Sequence, residues 1–157
     1  MKRILQYRIK GNLPHYECYI NNAFLNGDLS EVVYMAQPRD FEDSTKPHHV
    51  CRLNKALYGL KQAPQAWFTK LKHYLITDMF RACRSNTSLF VHHSIHVTIY
   101  TLVYFDDVIV TDNNATFLDQ FINRLNKTFS LRDLGSLHYF LGLQVTRSNT
   151  SLTLSQQ

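Results

Sequence analysis

Two stretches of this chain hold residue types whose spacing suits chemistry. The first is TLVYFDDVIVT at residues 101–111, where apolar and β-branched side chains flank Asp106 and Asp107. Such a run reads as buried strand on both sides of the acids. Adjacent carboxylates are costly inside a sheet unless they sit at a turn and meet a cation. A hairpin tipped by two acids can hold a divalent ion, and Mg²⁺ takes one or two carboxylates plus substrate phosphates. An acidic turn facing solvent fits the same residues. The second stretch is RLNKALYGLKQAPQAWF at residues 52–68. Gly59 lets a ligand approach the backbone, Lys61 brings charge, and the helix start beyond it attracts phosphate. Tyr58 offers a ring for stacking on a base or sugar. An ordinary loop leading into a helix fits here too.

These residues need elements to position them. Cys18–Leu25 is apolar enough for a strand, Asn26-Gly27 signals a turn, and Val32–Met35 reads as the return strand. Gln37–His49 is loop, and Val50–Leu53 is a short extended piece. Pro64 opens a helix that runs to about Met79, with Trp67, Phe68, Leu71, Tyr74 and Leu75 at helical spacing. Ser88–His93 and Ile95–Phe105 read as paired strands, and Val108–Thr111 as a third. Asp112, Asn113 and Asn114 offer caps for a second helix with Phe117, Leu118, Phe121, Ile122 and Leu125 on its apolar face. A loop around Gly135 and a last hairpin, Tyr139–Val145 with Leu152–Leu154, follow. Hairpins dominate, so the expected fold is α+β, a mostly antiparallel sheet with two helices on one face.

Composition narrows the classes. The 157 residues are 45% hydrophobic and 13% aromatic, which excludes a disordered or low-complexity chain. The longest apolar run, Val97–Phe105, is too short to span a bilayer. Cys18, Cys51 and Cys83 form no CxxC pair and read as reduced thiols of an intracellular protein, cytoplasmic or nuclear. Of the net charge of +5, residues 1–16 carry +4, with no acid among them. Between Lys46 and Arg84 stand eight basic residues and one acid, Asp78. A basic centre followed by a carboxylate pair suits a polyanion held against metal ions, and a solvated basic face suits the same charges. His92, His93 and His96 lie near a hairpin turn but no Cys or acid completes a zinc set. Trp67, Phe68 and Tyr74 read as core.

Taken together, the motifs resemble the reverse transcriptase domain of copia-type LTR retrotransposons. The matching text is NNAFLNGDLSEVVYM at 21–35, VCRLNKALYGLKQAPQAWF at 50–68, TSLF at 87–90, LVYFDDVIVT at 102–111 and LRDLGSLHYFLGLQV at 131–145. The resemblance implies a right-hand polymerase palm and RNA-directed DNA synthesis by two-metal nucleotidyl transfer. It implies that Asp106 and Asp107 hold Mg²⁺, that Tyr58, Gly59, Lys61, Gln62 and Tyr104 lie against nucleotide or template, and that Leu141 and Gly142 position the primer. RNA template, DNA primer and deoxynucleotide are the implied partners, with fingers, thumb, RNase H and integrase segments in an intact element; no membrane is implied.

The departures matter as much. Aligned on Asn22-Ala23-Phe24-Leu25, Tyr19 stands where the family has a metal-binding aspartate. A phenol with a pKa near ~10 is a poor Mg²⁺ ligand. Gln65 replaces an arginine, Arg39-Asp40 replaces Pro-Gly, and Asn86 replaces an aspartate. Residues 1–17 are read as an unmatched basic segment and 18–157 as a partial reverse transcriptase domain. The expected chain is a palm-centred fragment of a degenerate element, inactive alone. The competing readings are a catalytically dead nucleic-acid-binding remnant and a cyclase-like nucleotidyl enzyme.

Overall fold

The computed structural model describes residues 7–10, 15–112, 114–140, 143–148 and 151–156. Its strands are β1 (Tyr7–Lys10), β2 (His15–Ile20), β3 (Asp28–Ala36), β4 (Val50–Lys55), β5 (Arg81–Ala82) and β6 (Leu89–His93), followed by β7 (Thr98–Tyr104), β8 (Asp107–Asp112), β9 (Leu131–Ser136), β10 (Tyr139–Phe140), β11 (Leu143–Ser148) and β12 (Ser151–Gln156). The helices are α1 (Ala63–Thr77) and α2 (Ala115–Phe129), with a 3-10 turn at Ala23–Asn26. Every strand pairing among the described residues is antiparallel. The α+β class holds.

The chain divides into two compact units, residues 1–21 with 79–157, and residues 22–78. The first unit holds a six-stranded sheet in the order β5-β6-β7-β8-β2-β9 and a four-stranded sheet in the order β1-β12-β11-β10. Alternation sets its core. Cys18, Ile20, Ile99, Thr101, Val103, Val108 and Val110 are buried on one face of the six-stranded sheet. Helix α2 packs against β8 and β9 and buries Leu118, Phe121, Leu125 and Phe129. Asn114 caps it by accepting the Phe117 N–H at 3.2 Å. On the other face Ile109, Leu137 and Val145 form a smaller cluster joined by Leu102.

In the second unit the β3–β4 hairpin is closed by the 37–49 loop. Gln37 fastens that loop, donating to the carbonyls of Lys46 and His49 at 2.9 Å and accepting the Asp43 N–H at 2.7 Å. Helix α1 starts with proline in its first turn and buries Trp67, Leu71 and Leu75. Phe68 and Tyr74 are only half-buried.

Several expectations change. Cys18–Leu25 is not one strand: β2 stops at Ile20, Asn22 turns left-handed at φ 50°, and Ala23–Asn26 coils. Strand β2 then pairs with β8 and β9, and β3 pairs with β4, in place of the hairpin expected across Asn26-Gly27. The segment around Gly135 is strand, not loop, taken into β9 although Gly135 has φ 77°. Three sheets replace the one expected, and α1 packs with β3 and the 3-10 turn while α2 packs on the six-stranded sheet. Strand β2 runs through residues 17 and 18, and Tyr7–Lys10 pairs with β12. Asn113 and the Leu141–Gly142 pair lie outside the described residues.

Candidate metal centre and nucleotide loop

The two acids sit where the strand pattern breaks. Tyr104 pairs with Asp107, so Phe105 and Asp106 form a two-residue turn between β7 and β8. Phe105 takes φ 54° there. A bulky residue in the left-handed region costs about 1 kcal/mol or more, and such strain gathers at functional sites. The turn is tied down by the Ile20 N–H, which donates to the Asp106 carbonyl at 2.9 Å. Asn21 in turn donates from its side chain to the Ser130 carbonyl at 3.1 Å, anchoring the end of β2 to the end of α2.

Register places a third residue beside the pair. Tyr19 of β2 lies directly opposite Asp107, on the side away from Tyr104. Tyr104, Asp107 and Tyr19 therefore form one row across three strands, on the sheet face opposite α2. Residues opposite each other in an antiparallel pair have Cα atoms about 4.5–5.5 Å apart. Position 19 is thus adjacent to a carboxylate.

The electrostatics fit this placement. Partial burial, together with the negative charge of Asp106, holds the Asp107 carboxyl above the usual carboxylate range. Glu17 was missed by the sequence reading. It lies two residues before Tyr19 on the same face, opposite Ile109. Burial first, and then the charge of Asp107, raises its carboxyl, while His138 acts in the other direction. Strand alternation from Tyr19 was the signal for it. Among the described residues, no group of three or more His, Cys, Asp or Glu side chains is arranged to hold a metal ion. His92, His93 and His96 therefore form no such group. His92 lies between Phe80 and Phe117, and the His93 ring pairs with the Thr98 hydroxyl at 2.8 Å.

The remaining candidates lie in the second unit, except Tyr104. Tyr104 is 42% exposed and meets Phe105 edge-on, with ring centroids 4.9 Å apart. Tyr58 rests on Phe24 at 4.4 Å and keeps about half its surface open. Gly59 has φ 93°, and a Cβ there would meet nothing within 4 Å, so conformation and not space calls for glycine. Lys61 is exposed, and Gln62 is the half-buried N-cap residue of α1.

Comparison with known proteins decides the family. The family model for reverse transcriptase (RNA-dependent DNA polymerase) matches residues 2–157. The chain belongs to the reverse transcriptase family. The match includes the basic segment set apart in the sequence reading. The chain is 45% identical over 154 residues to the retrovirus-related Pol polyprotein from transposon RE1 of Arabidopsis thaliana, covering 98% of this chain and 10% of that relative. It is 38% identical over 160 residues to the Pol polyprotein from transposon TNT 1-94 of Nicotiana tabacum, covering the whole chain and 12% of the relative. It is 34% identical over 139 residues to the putative transposon Ty5-1 protein of Saccharomyces cerevisiae, covering 88% of this chain and 45% of that one. The chain therefore spans about a tenth of the length of the plant Pol polyproteins it matches. The copia-type resemblance read from the motifs is borne out. No solved structure matches significantly. No described helix is long and apolar enough to cross a membrane.

Proposed function

We propose that the six-stranded unit is a right-hand polymerase palm, and that this chain is the nucleotidyl-transfer module of an RNA-directed DNA polymerase, silent as it stands. One observation carries the reading: the row Tyr104–Asp107–Tyr19 beside the Phe105-Asp106 turn. It supports Asp106 and Asp107 as metal-holding carboxylates and Tyr19 as the replacement of a third.

The donor set fits one divalent cation. Two carboxylates at a turn, one of them raised by burial and then by its neighbour's charge, gain from a cation between them. Mg²⁺ held by Asp106 and Asp107 would supply charge neutralisation at the triphosphate and activation of the primer hydroxyl, the chemistry of metal-assisted nucleotidyl transfer. Tyr19 puts a phenol in place of a carboxylate, and a phenol is a poor Mg²⁺ ligand. Losing one shared carboxylate lowers the rate by about a thousandfold, at about 1.4 kcal/mol per factor of ten. Tyr104 and Phe105 offer exposed rings on which a base can stack. Tyr58, Gly59, Lys61 and Gln62 form the nucleotide and template loop, and Leu141 and Gly142 position the primer. RNA template, DNA primer and deoxynucleotide are the partners. Fingers, thumb, RNase H and integrase segments complete an intact element.

Primer extension on an RNA template with Mg²⁺ tests this. The chain should give no product above background. Product that disappears in Asp107→Asn would overturn the silence assigned to Tyr19. Nucleic-acid binding without synthesis is what the reading as a dead remnant also expects, and Tyr19 favours it.

A further inference from the structure

The β3–β4 hairpin of the 22–78 unit turns one face to solvent. Register sets Tyr34 opposite Arg52 and Ala36 opposite Val50, and alternation adds Val32 to their side. Val32, Tyr34 and Val50 are each more than half exposed, and Phe41, in the loop just beyond, is 82% exposed. Val33, Met35, Cys51 and Leu53 make up the half-buried side of the hairpin. Among the described residues, neither outer edge of the hairpin pairs with another strand. The loop is braced. Gln37 ties it with three hydrogen bonds, and Asp43 accepts from the Thr45 N–H at 2.8 Å and the Thr45 hydroxyl at 2.6 Å. The Phe41 N–H donates to the Pro38 carbonyl at 3.1 Å. Phe41 is thus presented on a fixed backbone and loses little freedom when covered. An exposed apolar patch rimmed by charge marks a protein contact.

We propose that this face is the contact between two copies of the chain, related by a twofold axis near Val50. Charge selects that partner. Arg52 is the charged residue of the strand face. In the loop, Asp40 and Glu42 flank Phe41, and with Asp43 they outnumber Arg39 and Lys46. Arg52, Asp40 and Glu42 are all exposed, and the ion pairs within the described residues belong to Asp28 instead. A partner of a single charge sign gains at one of these positions and loses at the other: a polyanion meets Asp40 and Glu42, and a polycation meets Arg52. A second copy offers both signs in the reverse order. In a twofold contact, residue i of one copy meets residue j of the other, and j meets i. An axis near Val50 sets Val50 against its counterpart, Arg52 of each copy against the loop acids of the other, and Phe41 of each against Tyr34 of the other. Tyrosine and arginine are residue types that carry much of the binding energy in protein contacts. The assignment does not depend on the polymerase reading.

Sedimentation equilibrium of the whole chain between about 1 μM and about 200 μM should show monomer and dimer in exchange. Arg52→Glu and Glu42→Arg should each weaken the dimer by about tenfold or more, because each sets like charges together in both halves of the contact. An equimolar mixture of these two variants should regain the dimer, since opposite charges then meet in both halves. Phe41→Ser should weaken it by about tenfold or more through loss of the central ring. All three positions are exposed, and circular dichroism checks that each variant keeps the fold. A chain that stays monomeric throughout the range overturns the proposal and leaves the face to a different partner. A dimer that none of the three variants alters lies elsewhere on the molecule and overturns it equally. Single variants that weaken the dimer, with no recovery in the mixture, refute the twofold pairing of Arg52 with the loop acids and the proposal with it.

Discussion

Replacing Tyr19 with aspartate puts the account under strain in a measurable way. The new carboxylate would stand opposite Asp107, in the same row and on the same face. At about 5.5 Å, and with an effective dielectric constant between about 20 and 80, the added repulsion is about 0.8–3 kcal/mol. Half-burial of Asp107 favours the middle of that interval, so Tyr19→Asp should lose about 1–2 kcal/mol without divalent metal. The same three acids should bind a cation better than two. A ligand at about 100 times its dissociation constant adds about 2.7 kcal/mol, enough to reverse the loss. Urea denaturation of both proteins with and without Mn²⁺ reads both effects. Asp107→Asn in the Tyr19→Asp background should remove most of the loss and most of the rescue. Equal stability of the two proteins in metal-free buffer, with no difference in Mn²⁺ response, would show that position 19 does not face the acids.

Gly27→Ala should cost about 1–3 kcal/mol, because its Cβ meets α1 backbone that cannot rotate away; the urea midpoint should fall with the m-value unchanged. The Asp28 carboxyl is held below its ordinary range chiefly by its hydrogen bond from Lys55, then by that from Lys70. A depressed carboxyl stabilises the fold above its unfolded pKa, and that stability is lost as pH falls through the folded value. Because the group is exposed, the effect should be under about 1 kcal/mol, and urea midpoints between about pH 6 and about pH 3 should vary less in Asp28→Asn. Asn114→Ala should cost about 1 kcal/mol by leaving the Phe117 N–H uncapped, seen as a lower Tm.

Local patterns were legible in the sequence wherever one physical cause dominated. Pro64 and the Trp67, Leu71, Leu75 spacing placed α1, and the apolar, β-branched run on both sides of the acids placed β7 and β8. The core of α2 followed from its apolar stripe, although Phe129 completes it. Asn22 shows the opposite case: the apolar run through it has strand composition, yet its left-handed backbone ends β2 and starts a coil. Gly135 punctuates a sequence but is carried inside β9 by pairing with Glu17, a partner far away in the chain. Choice of partner is non-local, which is why β2 lying between β8 and β9 was not readable. The acids and Tyr19 were legible through the family motif, and their adjacency through the alignment. Glu17 needed the β2–β8 register before its place on the same face could be seen.

Asp106 and Asp107 are proposed to hold a cation beside Tyr19. Paramagnetic broadening by Mn²⁺ in amide NMR spectra tests it residue by residue. Low Mn²⁺ should broaden the amides of residues 104–108 and of Tyr19 and Ile20 first, and the double variant Asp106→Asn with Asp107→Asn should lose that broadening. Broadening that centres elsewhere, or that persists unchanged in the double variant, would contradict the assignment.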